Sequence, residues 1–150
     1  MGEPGAARAA VSRVEAMRHN RRGIAAVRDA LKCGLLVVAV GLSACDRDAR
    51  REAAELTGGD PERGQTAIRL HGCASCHTIP GIPGADGLVG PSLAGLASRV
   101  YIAGVLPNTP ANLIRWIRMP RAVDQHTAMP NLGITEAEAR DIAGYLYTLK

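Results

Sequence analysis

Cys73-Ala74-Ser75-Cys76-His77 constrains what this chain can fold into more than any other feature. Two thiols three positions apart face one side of a single helical turn, and an imidazole follows directly. That spacing lets both thiols form thioethers with the two vinyl groups of one porphyrin, while His77 reaches the iron as proximal ligand. Other chemistries open to a C-x-x-C pair fit less well. A redox dithiol belongs in a strand–helix alternation, and none is legible here. A zinc site needs two more ligands, and the remaining cysteines, Cys33 and Cys45, lie far upstream. One covalent haem c, bound through Cys73 and Cys76, is the expected cofactor.

The aromatic content supports a prosthetic group at the centre. The 150 residues include no Phe, one Trp and three Tyr, so a domain of this size needs another apolar mass to pack around. The net charge of +4 is unevenly placed. Residues 1–44 carry seven Lys or Arg against three Asp or Glu, whereas 45–150 carry eleven of each. With the basic excess confined to the N-terminal segment, nucleic acid is not an expected partner.

That segment reads as an address. An Arg- and Ala-rich stretch ends at Arg28 and Lys32, and the uncharged run Gly34–Leu42 follows. A basic region before a short apolar one is the pattern of a secretory signal, and the run is about half the ~20 residues a spanning helix needs. The basic region is long, which makes Met17 an alternative start to Met1. Leu42-Ser43-Ala44-Cys45 resembles the lipobox of bacterial lipoproteins, in which the cysteine receives a lipid thioether and becomes the mature N-terminus. The expected organisation is therefore a signal peptide over 1–44, removed on processing, and a lipidated N-terminus with a flexible linker over 45–59. The folded domain spans 60–150. Two or three acyl chains hold a protein stably at a membrane, whereas one does so only marginally. Asp46 resembles the inner-membrane retention signal of enteric bacteria, and Cys33 is expected to leave with the signal. Residues 46–59 offer little apolar surface and are expected to be partly helical at best.

The domain is expected to be all-α. Asp60-Pro61-Glu62 sets an N-cap, a proline and an early acid in order, predicting a helix from Pro61 to about His71 with Gly64, Ala67 and Ile68 on one face. Five Gly or Pro between 78 and 89, and Gly90-Pro91 after them, predict a loop over one haem edge. A short helix is expected over Ser92–Ser98, irregular chain over Tyr101–Asn108, and a helix opened by Thr109-Pro110 and stopped by Pro120. Thr135-Glu136-Ala137-Glu138 is a capping box, and Ile142, Tyr145, Leu146 and Leu149 form the stripe of the last helix.

A six-coordinate haem needs a ligand opposite His77. His71 lies on the helix feeding the attachment turn, on the proximal side, and reads as a surface residue. Met119 sits at the end of an apolar stripe and reads as core. Met129, followed by Pro130 in a loop 52 residues beyond His77, is the expected iron ligand, with His126 or an open site as alternatives. A His/Met pair raises the reduction potential and leaves no position for substrate, so electron transfer is favoured over catalysis.

The domain from Asp60 to Lys150 resembles class I cytochromes c. Within them it is most similar to the cytochrome c domain fused to subunit II of bacterial haem-copper oxidases. The residues that carry the resemblance are Gly72–Ile79, Val89–Leu93 with Ser98-Arg99, Gly104–Pro110 with Asn112-Leu113 and Trp116-Ile117, Met129-Pro130, and Tyr145-Leu146. The resemblance implies the class I cytochrome c fold, short helices and loops around one haem. It implies that the Pro91 carbonyl accepts a hydrogen bond from His77 Nδ1–H. It also implies that Arg99 and Trp116 stand near the haem propionates, with packing or a surface ion pair as the alternative for each. Gly64 would let the first and last helices cross closely near Tyr145, while Ile68 replaces the aromatic usual at its position. The chain departs from the oxidase subunit in lacking a copper-site domain and spanning helices, so it reads as the cytochrome module alone on a lipid tether.

The expected function is a membrane-anchored electron carrier at the periplasmic face of the bacterial cytoplasmic membrane. It is not expected to be an enzyme in itself or to take a small-molecule substrate. Its expected partners are a terminal cytochrome oxidase and, as donor, a quinol-oxidising cytochrome complex or a soluble cytochrome. The alternative is an electron-accepting cytochrome subunit of a periplasmic dehydrogenase; a haem enzyme with an open distal site or a haem-based sensor finds less support.

Overall fold

The structure, a computed structural model, describes residues 46–150. The signal peptide, its lipobox and the lipidation of Cys45 lie outside the described residues. Residues 46–57 form a helix, α1, where the sequence predicts a flexible linker. Its polar composition hides a narrow buried stripe: Ala53 is 1% and Thr57 2% exposed, one turn apart. Two ion pairs at helical spacing, Arg50–Asp46 at 2.9 Å and Arg51–Glu55 at 3.0 Å, support the exposed side. Thr57 Oγ1 donates back to Ala53 O at 2.8 Å and accepts from Gly59 N at 3.2 Å, which turns the chain out of the helix.

Helix α2, Pro61–Leu70, starts as its sequence dictates. The Asp60 carboxylate accepts from the backbone N–H groups of Glu62 and Arg63, and Pro61 occupies the first turn. It buries Gly64, Ala67 and Ile68, and it ends at His71 before Gly72, whose φ is +68°. After the attachment turn, a loop folds back through an isolated antiparallel bridge between Thr78 and Asp86. The helix expected over Ser92–Ser98 shrinks to a 3₁₀ turn at Leu96–Ser98, since Gly95 takes φ +65° immediately before it. The stretch expected to be irregular contains two short strands, β1 Tyr101–Ile102 and β2 Leu106–Pro107, paired antiparallel. Helix α3, Pro110–Arg118, is capped by Thr109. Pro120 then opens a further short helix, α4 Pro120–Val123, instead of only stopping the one before it.

Helix α5, Glu136–Tyr147, crosses α2 so closely that a Cβ on Gly64 would overlap the carbonyl of Asp141. The crossing centres on Asp141 and Ile142, about one turn before the Tyr145 that the resemblance implies. Ile68, Ile79 and Leu113 lie at the core, together with Ala139, Ile142, Ala143 and Leu146. Ile68 fills its position completely, at 1% exposed. Asp141 is buried beside them but fully used. It accepts from Asp60 N–H at 2.7 Å and from Arg63 Nε and Nη2 at 2.8 and 3.0 Å. Burial pushes its carboxyl up, yet these donors outweigh burial and hold it below its ordinary value. No helix among the described residues is long and apolar enough to cross a membrane.

The Thr135–Glu138 capping box also gives His71, read as a surface residue, a partner. Its Nε2 lies 3.1 Å from Glu138 Oε1, tying the end of α2 to the start of α5. The Thr135 hydroxyl, the Thr135 N–H and His71 hold the Glu138 carboxyl down to about 2, from an ordinary value of 4.5. A carboxyl lowered by folding stabilises the fold above its unfolded value and loses that contribution as pH falls through the folded one. Glu138→Gln should therefore melt below the parent at neutral pH, and the gap should close between about 4.5 and about 2. Thermal melts across that range check this, and a gap unchanged by acid would refute it.

Candidate haem-attachment site

Cys73 opens and Cys76 caps a single 3₁₀ turn, Cys73–Ser75, entered through left-handed Gly72. The turn is closed by Cys76 N–H and His77 N–H, which both donate to Cys73 O, at 3.3 and 3.0 Å. Ser75 Oγ donates to Gly72 O at 2.7 Å. Both thiols are unpaired and half-buried. Burial, with neighbouring Cys76 a smaller cause, pushes the Cys73 thiol above its ordinary value.

His77 Nδ1 lies 2.7 Å from Pro91 O. A carbonyl can only accept, so Nδ1 carries the proton and the lone pair is left on Nε2, the form an iron ligand requires. The loop that delivers Pro91 is tied to the turn by Gly90 N–H to Cys76 O at 2.7 Å and by Leu93 N–H to Thr78 O at 2.9 Å. Two glycines make the close fit between them. A Cβ on Gly90 would press on the imidazole, 2.7 Å from Nδ1 and 3.0 Å from Nε2. One on Gly87 would lie 2.7 Å from Ala74 O. Gly87 does not stand out in the sequence among so many others in the loop. Only the Gly90-Pro91 step marks the place.

The remaining predicted positions are less tightly joined. Arg99 Nη2 donates to the carbonyls of Ser92 and, at 2.9 Å, Ala94, so this side chain braces the segment after Pro91. Trp116, half-buried on α3, packs against the apolar core. Met129 is half-buried in the irregular chain between α4 and α5, its N–H donating to Thr127 Oγ1 at 3.2 Å, outside the hydrogen-bonded group around His77. Met119 is not core. It ends α3 and is 43% exposed. His126 is exposed, with its N–H on Asp124 Oδ1.

The donor set fits a covalently attached haem: two thiols on one turn, and one imidazole whose outer nitrogen is held to a carbonyl. Leu88 and Val89, which lead into Gly90, are 89% and 77% exposed, and Val100 is 75% exposed. Leu88 and Val89 thus form an exposed apolar pair directly beside the Gly90–His77 contact. Neither the curated proteins nor the solved structures compared with the chain gave a match. Residues 61–150, more than half of the chain, match the family model for cytochrome c. With the attachment turn, the positioned imidazole and that match together, the chain belongs to the cytochrome c family, as a mainly helical electron-transfer cytochrome that binds covalent haem c.

Proposed function

We propose that this cytochrome is a lipid-anchored, monohaem carrier that passes single electrons along a respiratory chain to a terminal haem-copper oxidase. The observation that most supports a carrier is the 2.7 Å contact from His77 Nδ1 to Pro91 O, which orients the ring and leaves the Nε2 lone pair available to an iron. When bound, haem c supplies a one-electron iron couple. The chain's own part is to hold that couple at a useful potential and to keep substrates from it. His77 and Met129, the latter from the loop before α5, would hold the iron. A thioether there raises the potential and closes the iron to small molecules. Arg99 and Trp116 would hold the propionates, Arg99 with the part of its guanidinium not given to Ser92 and Ala94.

Three tests separate the parts of this reading. Oxidised protein should show the long-wavelength charge-transfer band of a thioether–ferric iron bond, and Met129→Ala should abolish it. Survival of the band in that variant would remove Met129 as ligand. The anchor is read from Leu42-Ser43-Ala44-Cys45 and the apolar run before it. Cys45→Ser should move the haem-stained protein from the membrane fraction to the soluble one, and an unchanged distribution would rule lipidation out. The oxidase as acceptor is read from the run Gly104–Pro110 and the residues after it. Rapid oxidation of the reduced protein by oxidase-containing membranes supports it, whereas reduction by a periplasmic dehydrogenase alone would favour the dehydrogenase reading.

A further inference from the structure

The segment that presents the His77 acceptor is itself held from behind by one side-chain amide. Asn108 Nδ2 donates to Leu96 O at 2.8 Å and to Arg99 O at 2.9 Å, while Oδ1 accepts from the Tyr147 hydroxyl at 2.9 Å. The amide can point only one way, because two carbonyls must face its NH₂. Its backbone N–H donates to Val100 O at 2.9 Å, so a single half-buried residue joins the Leu96–Ser98 turn, the β1–β2 hairpin and the end of α5. The chain just beyond α5 enters as well through Ala97 N–H, which donates to Leu149 O at 3.0 Å. From Arg99 the connection continues forward. Its Nη2 holds the carbonyls of Ser92 and Ala94, and Ser92 directly follows Pro91, on whose carbonyl His77 Nδ1–H rests.

We propose that Asn108, braced by Tyr147, is a positioning residue for the His77 imidazole: it holds the 91–99 segment in place and so sets the strength of the His77–Pro91 hydrogen bond. A strong bond at Nδ1–H makes an imidazole a better electron donor and favours the oxidised iron. Loosening the brace therefore raises the reduction potential. A residue that merely supported the fold would lower the melting temperature without acting on the imidazole. The proposal rests on His77 as the proximal ligand.

The test uses the haem-loaded protein with Asn108→Ala and Tyr147→Phe. The second removes a single oxygen at a half-buried site and so keeps the fold. Asn112→Ala is the control, since its Nδ2 donates to Pro107 O on the same hairpin without reaching the 91–99 segment. Both brace variants should show a higher potential than the parent. They should also show exchange of the His77 ring N–H with solvent, followed by magnetic resonance in the reduced state, faster by about fivefold, the equivalent of one hydrogen bond. Asn112→Ala should change neither. If the brace variants melt lower yet keep the parent's potential and exchange rate, or if the control shifts both equally, the assignment is overturned. A parent whose His77 resonances lack a porphyrin ring-current shift would overturn the ligand reading instead, whatever the variants show.

Discussion

Gly64→Ala is expected to cost about 3 kcal/mol. The added methyl has no space: a Cβ there would overlap Asp141 O and lie 2.5 Å from Asp141 C. Both atoms belong to the backbone of α5, so neither can swing aside as a side-chain tip would. Alanine is the better helix former by about 1 kcal/mol, which offsets only part of the overlap. Relief requires α5 to move off α2. That would disturb the Asp141 bonds to Asp60 and Arg63 and the packing of Ile68. A loss of about 3 kcal/mol corresponds to a melting temperature lower by about 12–24 °C in a domain of this size. Thermal unfolding of the haem-loaded variant, followed by circular dichroism, measures it. A melting temperature within about 2 °C of the parent would show that the two helices do not cross as described.

The second large effect is expected at Gly90→Ala, and here the target is the imidazole more than the fold. The methyl would sit against the His77 ring, 2.7 Å from Nδ1. The ring must tilt, and tilting breaks the bond from Nδ1–H to Pro91 O. The substitution lies outside any helix or strand, so stability should fall by no more than about 1–3 kcal/mol. Cys73 and Cys76 are untouched, so covalent attachment should survive. With His77 and Met129 as the proposed iron ligands, the reduced variant should bind carbon monoxide while the parent does not. Absorption spectra under carbon monoxide decide the matter. A parent-like spectrum with no binding would mean that the imidazole does not rest on Gly90.

The contrast between these two glycines shows what kind of information a sequence carries. Gly64 lies on the same predicted face as Ala67 and Ile68, and the helical period alone marks that face as buried. Gly90 is marked in the sequence only as part of the Gly90-Pro91 step, and only the returning chain brings it onto His77. The helix caps were equally open to reading. Asp60, Thr109 and Thr135 act on N–H groups two or three residues away, so a local pattern suffices. The linker reading of 46–59 fails for the opposite reason. A stripe of Ala53 and Thr57 becomes a buried face only because α5 offers a small-residue surface: a Cβ on Gly144 would lie 3.2 Å from Thr57 Oγ1.

The same division runs through the site. By itself the sequence determined the covalent chemistry, because two thiols and an imidazole on one turn need nothing beyond their spacing to define a haem attachment. It also determined the all-α class, through local caps and helical periodicity. The tertiary structure decided how the imidazole is held. The bond from His77 Nδ1–H to Pro91 O, the Gly90 contact, the Arg99 brace and the Asn108–Tyr147 link join residues up to 39 positions apart. Such pairings exist only once loops close and the last helix docks, and no local pattern encodes that closure.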